Sequence, residues 1–172
     1  EQKMKIAVIG AKGLPPTQGG VEHYCAEVYP RMVAQEGHSV DLFARSSYTN
    51  SSWFENYDYE GVKVISLPDV GMRGVDAFIT SALGALATTG KKYDIDHFQA
   101  LGPSLFTSLS RIATKSKIVV TCHGLDWQRA KWGNFSTSLI QMGEQTAVRY
   151  SHGIITESDA LKTYFLHPYG TS

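Results

Sequence analysis

Apolar positions along the chain alternate between two spacings. Residues 5–10, KIAVIG, form a short, β-branched-rich and nearly all-apolar run. Such a run suits a strand covered on both faces, as in a parallel sheet. From Gly19 the spacing changes. Val21, Tyr24, Cys25, Val28 and Met32 fall at i, i+3, i+4, i+7 and i+11, which is one face of a helix. Pro30 lies inside that helix and should kink it or weaken one turn. Gly37 should end it. Residues 39–44 (SVDLFA) are a second strand, and residues 62–67 (VKVISL) a third, closed by Pro68. The polar and aromatic stretch 45–59 has no period and reads as a loop. After Gly74, the positions Val75, Phe78, Ile79, Ala82, Leu83 and Leu86 mark a helix. Residues 95–99 are a short fourth strand. Pro103 takes a favoured first-turn place in a helix carrying Leu105, Leu109 and Ile112. Residues 117–122 (KIVVTC) are a fifth strand, and 123–135 a loop. A helix then starts at Ser136 or Ser138 and runs to about Tyr150. Residues 153–156 (GIIT) are a sixth strand, and Ser158 caps a last short helix through Leu161 and Phe165.

Strands alternating with helices predict right-handed βαβ units. The fold class is α/β, with a doubly wound, mostly parallel, Rossmann-like sheet. Ligands of such sheets bind outside the carboxyl ends of the strands, near the point where strand order reverses. The residues just after each strand therefore carry the candidate chemistry.

Composition narrows the classes. A chain of 172 residues fits one domain with a substantial core. Hydrophobic residues make up 42% and charged residues 19%, as in ordinary soluble globular proteins. Lys+Arg and Asp+Glu are both 16, so the net charge is zero and there is no basic footprint for nucleic acid. No apolar run approaches the ~20 residues of a membrane span. Met4 leads directly into a strand rather than into a basic and then apolar leader, and residues 1–3 precede this candidate start methionine. Cys25 and Cys122 both sit in apolar segments, which fits buried thiols in a reducing compartment better than a disulfide framework.

After the first strand comes GAKGLPPTQGGVEHY. A glycine pair at a helix start, Gly19 and Gly20, lets backbone N–H groups approach a ligand where the helix dipole favours an anion. Glu22 and His23 then lie in the first turn. The plain alternative is a demanding turn followed by a glutamate that suits the dipole. The loop lacks GxxxxGK[ST], so it is not a P-loop. Positions 10, 12 and 15 hold Gly10, Lys12 and Pro15, so GxGxxG is missing. The second strand ends in Ala44 and Arg45 rather than an acidic residue, which argues against NAD and leaves a weak NADP alternative. After the fifth strand comes CHGLDWQRAKWG, in which His123 follows a buried strand directly. Asp126, Arg129 and Lys131 cluster there with Trp127 and Trp132. The tryptophans suit stacking on a sugar ring or packing on another domain, and the cations suit phosphate or carboxylate. The alternatives are a satisfied strand-end histidine and a capped core. After the sixth strand, Glu157 faces the same sheet edge as His123 and could bind a hydroxyl-rich ligand, while Ser158 serves as a cap. His152 and His167 have no partners at metal-ligand spacing.

These residues resemble the N-terminal domain of a GT-B glycosyltransferase of the retaining family-four group. The resemblance rests on MKIAVIGAKGLPPTQGGVEHYCAEVYPRM, GHSVDLFAR, a strand ending in HG, and SHGIITESDALKTYF. Within the group, GLPPTQGGVEH and GLDWQRAKW are similar to a bacterial rhamnosyltransferase-like domain. The resemblance implies two Rossmann-like domains around a cleft. Residues 4–172 would be the acceptor-binding N-terminal domain, and the donor-binding C-terminal domain would lie outside this chain. It further implies transfer of a sugar from a nucleotide-sugar donor to a glycan or lipid-linked acceptor, as in bacterial surface polysaccharide synthesis. Configuration would be retained, with no metal or other cofactor. Carried over by position, Gly19 and Gly20 would approach the donor phosphates or the reacting sugar, and His123 would contact the transferred sugar. Glu22, Arg129 and Lys131 would stand on the acceptor side. The implied setting is cytoplasmic, at the inner face of the membrane, and half an enzyme would be inactive alone and prone to self-association through its open cleft. Two other classes stay open: a stand-alone nucleotide- or carbohydrate-binding module, and an NADP-dependent oxidoreductase domain.

Overall fold

The computed structural model describes residues 2–17, 19–71, 75–100, 103–123 and 134–169; for 134–136 and 167–169 it describes the backbone alone. The strands are β1 (Lys5–Ile9), β2 (Ser39–Arg45), β3 (Asn56–Tyr59), β4 (Val62–Leu67), β5 (Ile95–Gln99), β6 (Lys117–Cys122) and β7 (Gly153–Thr156). The helices are α1 (Gly20–Glu36), α2 (Asp76–Thr89), α3 (Thr107–Ala113), α4 (Asn134–Tyr150) and α5 (Asp159–Tyr169). The strands form one sheet in the order β3-β4-β2-β1-β5-β6-β7. Every pair is parallel except β3 with β4. The order reverses at β1, between β2 and β5. The carboxyl ends of β1, β5 and β6 therefore meet near the switch point of a doubly wound sheet.

Strand alternation sorts the core into two layers. Ile6 and Val8 face α1, packing with Val40, Leu42 and Val64 against Cys25 and Tyr29. Ala7 and Ile9 face the other way, packing with Phe43, Ile65 and Phe98 against Ala85 of α2 and Ala147 of α4. Central strands buried on both faces need apolar residues at consecutive positions, which is why they read as continuous runs. Gly84 lets α2 approach closely; a Cβ there would stand 3.2 Å from Ile9.

Several expected boundaries hold. Gly37 ends α1 in the left-handed conformation, φ 70°, and its N–H reaches the carbonyls of Met32 and Val33. The Ser158 hydroxyl accepts the Leu161 N–H at 3.3 Å, capping α5. Helix α1 runs from Gly20 to Glu36 with Pro30 buried inside it. Three expectations change. The stretch 45–59 is not all loop: it holds a 3₁₀ turn, Ser46–Tyr48, and the edge strand β3. A hairpin joins β3 to β4 through Glu60 and Gly61, both at positive φ (49° and 89°), as the two-residue turns that match strand twist require. Pro103 opens a 3₁₀ turn, Pro103–Phe106, that precedes α3. Helix α4 begins at Asn134, before the serines expected to open it.

Candidate functional site

Three of the four glycines between β1 and the first turn of α1 have different physical reasons. Gly10 leaves β1 at φ +103°, and a Cβ there would sit 2.7 Å from Pro103 Cγ and 2.8 Å from the Gln99 carbonyl oxygen. Gly19 precedes α1 at φ +86°, and its Cβ would lie 2.9 Å from Glu22 Oε2. Gly20 is the first residue of α1, and among the described residues a Cβ there would meet nothing within 4 Å. Its missing side chain therefore leaves open space at a helix N-terminus, where unpaired N–H groups and the dipole favour an anion. Glu22 is buried, and its Oε1 accepts the Lys12 N–H at 2.8 Å. It thus ties the two ends of the loop together.

His123 follows β6 at the same sheet edge. Its Nδ1 lies 2.6 Å from Glu157 Oε1, beyond β7, and its Nε2 lies 2.7 Å from Gln99 Oε1, at the end of β5. The Tyr24 ring packs edge-on against the imidazole with centroids 5.1 Å apart. Tyr24 stands one helical turn after Gly20, so the open start of α1 and His123 belong to one corner of the molecule. The His123 side chain is 11% exposed and that of Glu157 44%, so the imidazole presents only an edge to solvent.

Behind His123 runs a chain of buried polar groups. Gln99 Nε2 approaches the Tyr29 hydroxyl at 2.5 Å, and that hydroxyl lies 2.7 Å from His97 Nδ1. His97 Nε2 lies 2.6 Å from Thr121 Oγ1. Burial, reinforced by the nearby His123, holds His97 down to about 4, so it is neutral at physiological pH. Burial pushes the hydroxyls of Tyr24 and Tyr29 up. Of this chain, sequence reasoning selected only His123 and Glu157. The missed signal was the fourth strand, IDHFQ, which carries Asp96, His97 and Gln99 where a buried strand would be apolar.

Among the expected site residues, the structure brings Gly19, Gly20, Glu22, His123 and Glu157 to the carboxyl edge. Asp126, Arg129 and Lys131 lie outside the described residues, as do Trp127 and Trp132. A cavity of about 420 Å³ opens on the same edge, between the loops after β1 and β2. Thr17, Ser47, Tyr48, Thr49, Ser51 and Tyr57 line it with hydroxyls. Lys12 and Arg45 stand over the Tyr48 ring, at 5.2 and 5.8 Å from its centroid.

Residues 3–172 match the family described as Domain of unknown function (DUF1972). The chain belongs to this family. No curated protein is similar to it in sequence. Solved structures share the DUF1972 fold at low identity. Sucrose-phosphate synthase from Thermosynechococcus elongatus superposes with a TM-score of 0.71 at 16% identity, over 95% of this chain and 44% of that one. UGT89C1 of Arabidopsis thaliana, complexed with UDP, gives 0.60 at 14% identity, over 96% and 48%. An α,α-trehalose-phosphate synthase (UDP-forming) from Burkholderia vietnamiensis gives 0.58 at 11%, over 98% and 43%. These neighbours are GT-B glycosyltransferases, and the chain has the α/β fold of one of their domains. It spans less than half the length of each. Among the described residues, no helix is long and apolar enough to cross a membrane.

Proposed function

We propose that this chain is the acceptor-binding N-terminal domain of a retaining, rhamnosyltransferase-like glycosyltransferase. It works with a second, donor-binding domain to move a sugar from a nucleotide-sugar donor to a glycan or lipid-linked acceptor in bacterial surface polysaccharide synthesis. The observation that carries the reading is the corner at the switch point: a helix N-terminus at Gly20, one turn before the Tyr24 that packs against His123, whose ring nitrogens lie within hydrogen-bond distance of Glu157 and Gln99. The helix start suits the anionic diphosphate. The fixed imidazole edge suits a polar contact to the transferred sugar, where a placed donor stabilises developing charge. Glu22, Asp126, Arg129, Lys131 and Glu157 belong to the substrate side in this reading. The hydroxyl-lined cavity suits the far end of the acceptor. It opens beside β1 and β2, three strand spacings or on the order of 14 Å from β6, a span that fits a glycan longer than one sugar.

An open half-site cannot exclude water or hold two substrates together. The 172-residue chain alone therefore folds but transfers nothing, and transfer appears when the donor-binding domain is joined to it. A radiolabelled nucleotide-sugar assay on both forms tests this. Turnover by the isolated chain would show that the active site stands on a different architecture.

A further inference from the structure

Side chains around the cavity beside β1 and β2 divide into those that brace its walls and those left free. The Tyr57 hydroxyl donates to the Leu14 carbonyl and ties β3 to the loop after β1. Ser47 donates to Asp69 Oδ2 through its hydroxyl and through its N–H, the latter at 3.0 Å. Thr49 Oγ1 lies 2.5 Å from Ser66 Oγ on β4 and donates to the Ser46 carbonyl at 3.1 Å. The walls are thus cross-linked before any ligand arrives, which lowers the cost of ordering them around one.

Other lining groups are not spent in this way. Among the described residues, the hydroxyls of Thr17, Tyr48 and Ser51 and the side-chain amide of Asn50 have no hydrogen-bond partner. A hydroxyl and an amide each donate and accept, so together they match a ligand that does both. Leu14, fully buried, and Pro15 add an apolar side. None of the lining residues carries a charge. The Lys12 ammonium and the Arg45 guanidinium lie over the Tyr48 ring and are not part of the lining, and Asp69 is engaged by Ser47. A carboxylate or phosphate entering the cavity would exchange water for neutral groups without gaining an ion pair, which is costly. A neutral polyol regains there the neutral hydrogen bonds it gives up to enter. At about 420 Å³ the cavity stands at the small end of the roughly 300–1,000 Å³ usual for small-molecule sites.

We propose that this cavity is a subsite for an uncharged saccharide unit, and that it discriminates against acidic and phosphorylated sugars. Asn50 is a specificity-determining residue in this assignment. It is exposed and its side chain bonds to nothing else among the described residues, so its amide is free to bond a sugar hydroxyl and its removal leaves the fold intact. That the unit belongs to the acceptor rests on the proposed function; that the cavity takes a neutral sugar rests on its lining alone.

The test measures binding without transfer. The ¹⁵N-labelled chain is titrated with the methyl glycosides of glucose, galactose, rhamnose and N-acetylglucosamine, and with methyl glucuronide and glucose 6-phosphate as charged counterparts. The expected result is a saturable shift of the Thr17, Tyr48, Asn50 and Ser51 amide signals by a neutral glycoside. The charged sugars should bind roughly tenfold more weakly or worse. Asn50→Ala should bind the neutral glycoside about tenfold more weakly with an unchanged unfolding midpoint. Cavity signals that no neutral glycoside moves, charged sugars that bind as tightly as neutral ones, or an Asn50→Ala that binds like the wild type would each overturn the proposal. Its failure is distinct from a failure of the functional reading. Transfer by the protein joined to its donor-binding domain, with the cavity signals unmoved, would strike the subsite and keep the function; neutral-sugar binding here without transfer by the joined protein would keep the subsite and strike the function.

Discussion

Two adjacent glycines open α1, and the structure predicts opposite results when each is replaced. At Gly20 an added methyl meets no atom of the described residues within 4 Å, and the residue is already helical. Gly20→Ala therefore stabilises by restricting the unfolded chain, by about 0.4–1 kcal/mol. In a domain of this size that raises Tm by roughly 1–4 °C. At Gly19 the backbone sits at φ +86° and the new Cβ would lie 2.9 Å from Glu22 Oε2. Strain of about 1–3 kcal/mol adds to the weakening of a charge-assisted bond from Lys12 N–H, worth about 1.5–3 kcal/mol. Gly19→Ala therefore lowers stability by roughly 2.5–6 kcal/mol if that bond is lost. Differential scanning calorimetry on the two variants reads these shifts. The functional arm is Gly20→Val in the protein joined to its donor-binding domain, which should fold and lose transfer because the side chain occupies the ligand's space. A lower Tm for Gly20→Ala would show that this glycine serves the fold, and normal turnover by Gly20→Val would remove the ligand from this corner.

Three further outcomes follow from burial. His97 has its folded value held to about 4, below the ordinary 6.5, so burying it stabilises above pH 6.5 and the stability is lost as pH falls from 6.5 toward 4. The loss amounts to about 3 kcal/mol, and urea midpoints across that window should show it in the wild type and a smaller slope in His97→Gln. Gly10→Ala forces a Cβ against Pro103 and the Gln99 carbonyl at positive φ, so it should destabilise by about 2–5 kcal/mol in the same unfolding experiment; an unchanged midpoint would contradict the tight exit from β1. Cys25 and Cys122 are both buried, and burial pushes the Cys25 thiol up, so neither should react with an aromatic disulfide reagent until denaturant is added.

The central strands were legible because burial on both faces leaves one signature, a short apolar run. KIAVIG, SVDLFA and KIVVTC each mark a strand at the expected place. Strand β3 was missed because it is a four-residue edge whose alternation, Tyr57 and Tyr59 half-covered against the core and Asn56 and Asp58 exposed, is too short to stand out in a polar stretch. The site was half legible. A strand-end position selects His123 and Glu157, since residues after parallel strands reach the ligand edge. It cannot show that the two touch, because β6 and β7 bring together residues 34 apart. Gln99 and His97 escaped because they look like strand residues. Only the pairing of β5 with β6 places them behind His123 and beside Thr121.

The central claim is that the His123 corner touches the transferred sugar. The most direct measurement is the transfer rate of His123→Ala against wild type, in the protein joined to its donor-binding domain, with circular dichroism to establish that both are folded. The account predicts a loss of roughly 10²–10³ in turnover, the effect of one polar contact made to a transition state. An unchanged rate in the folded variant would make His123 a structural residue of the β6 end and place the reacting sugar elsewhere.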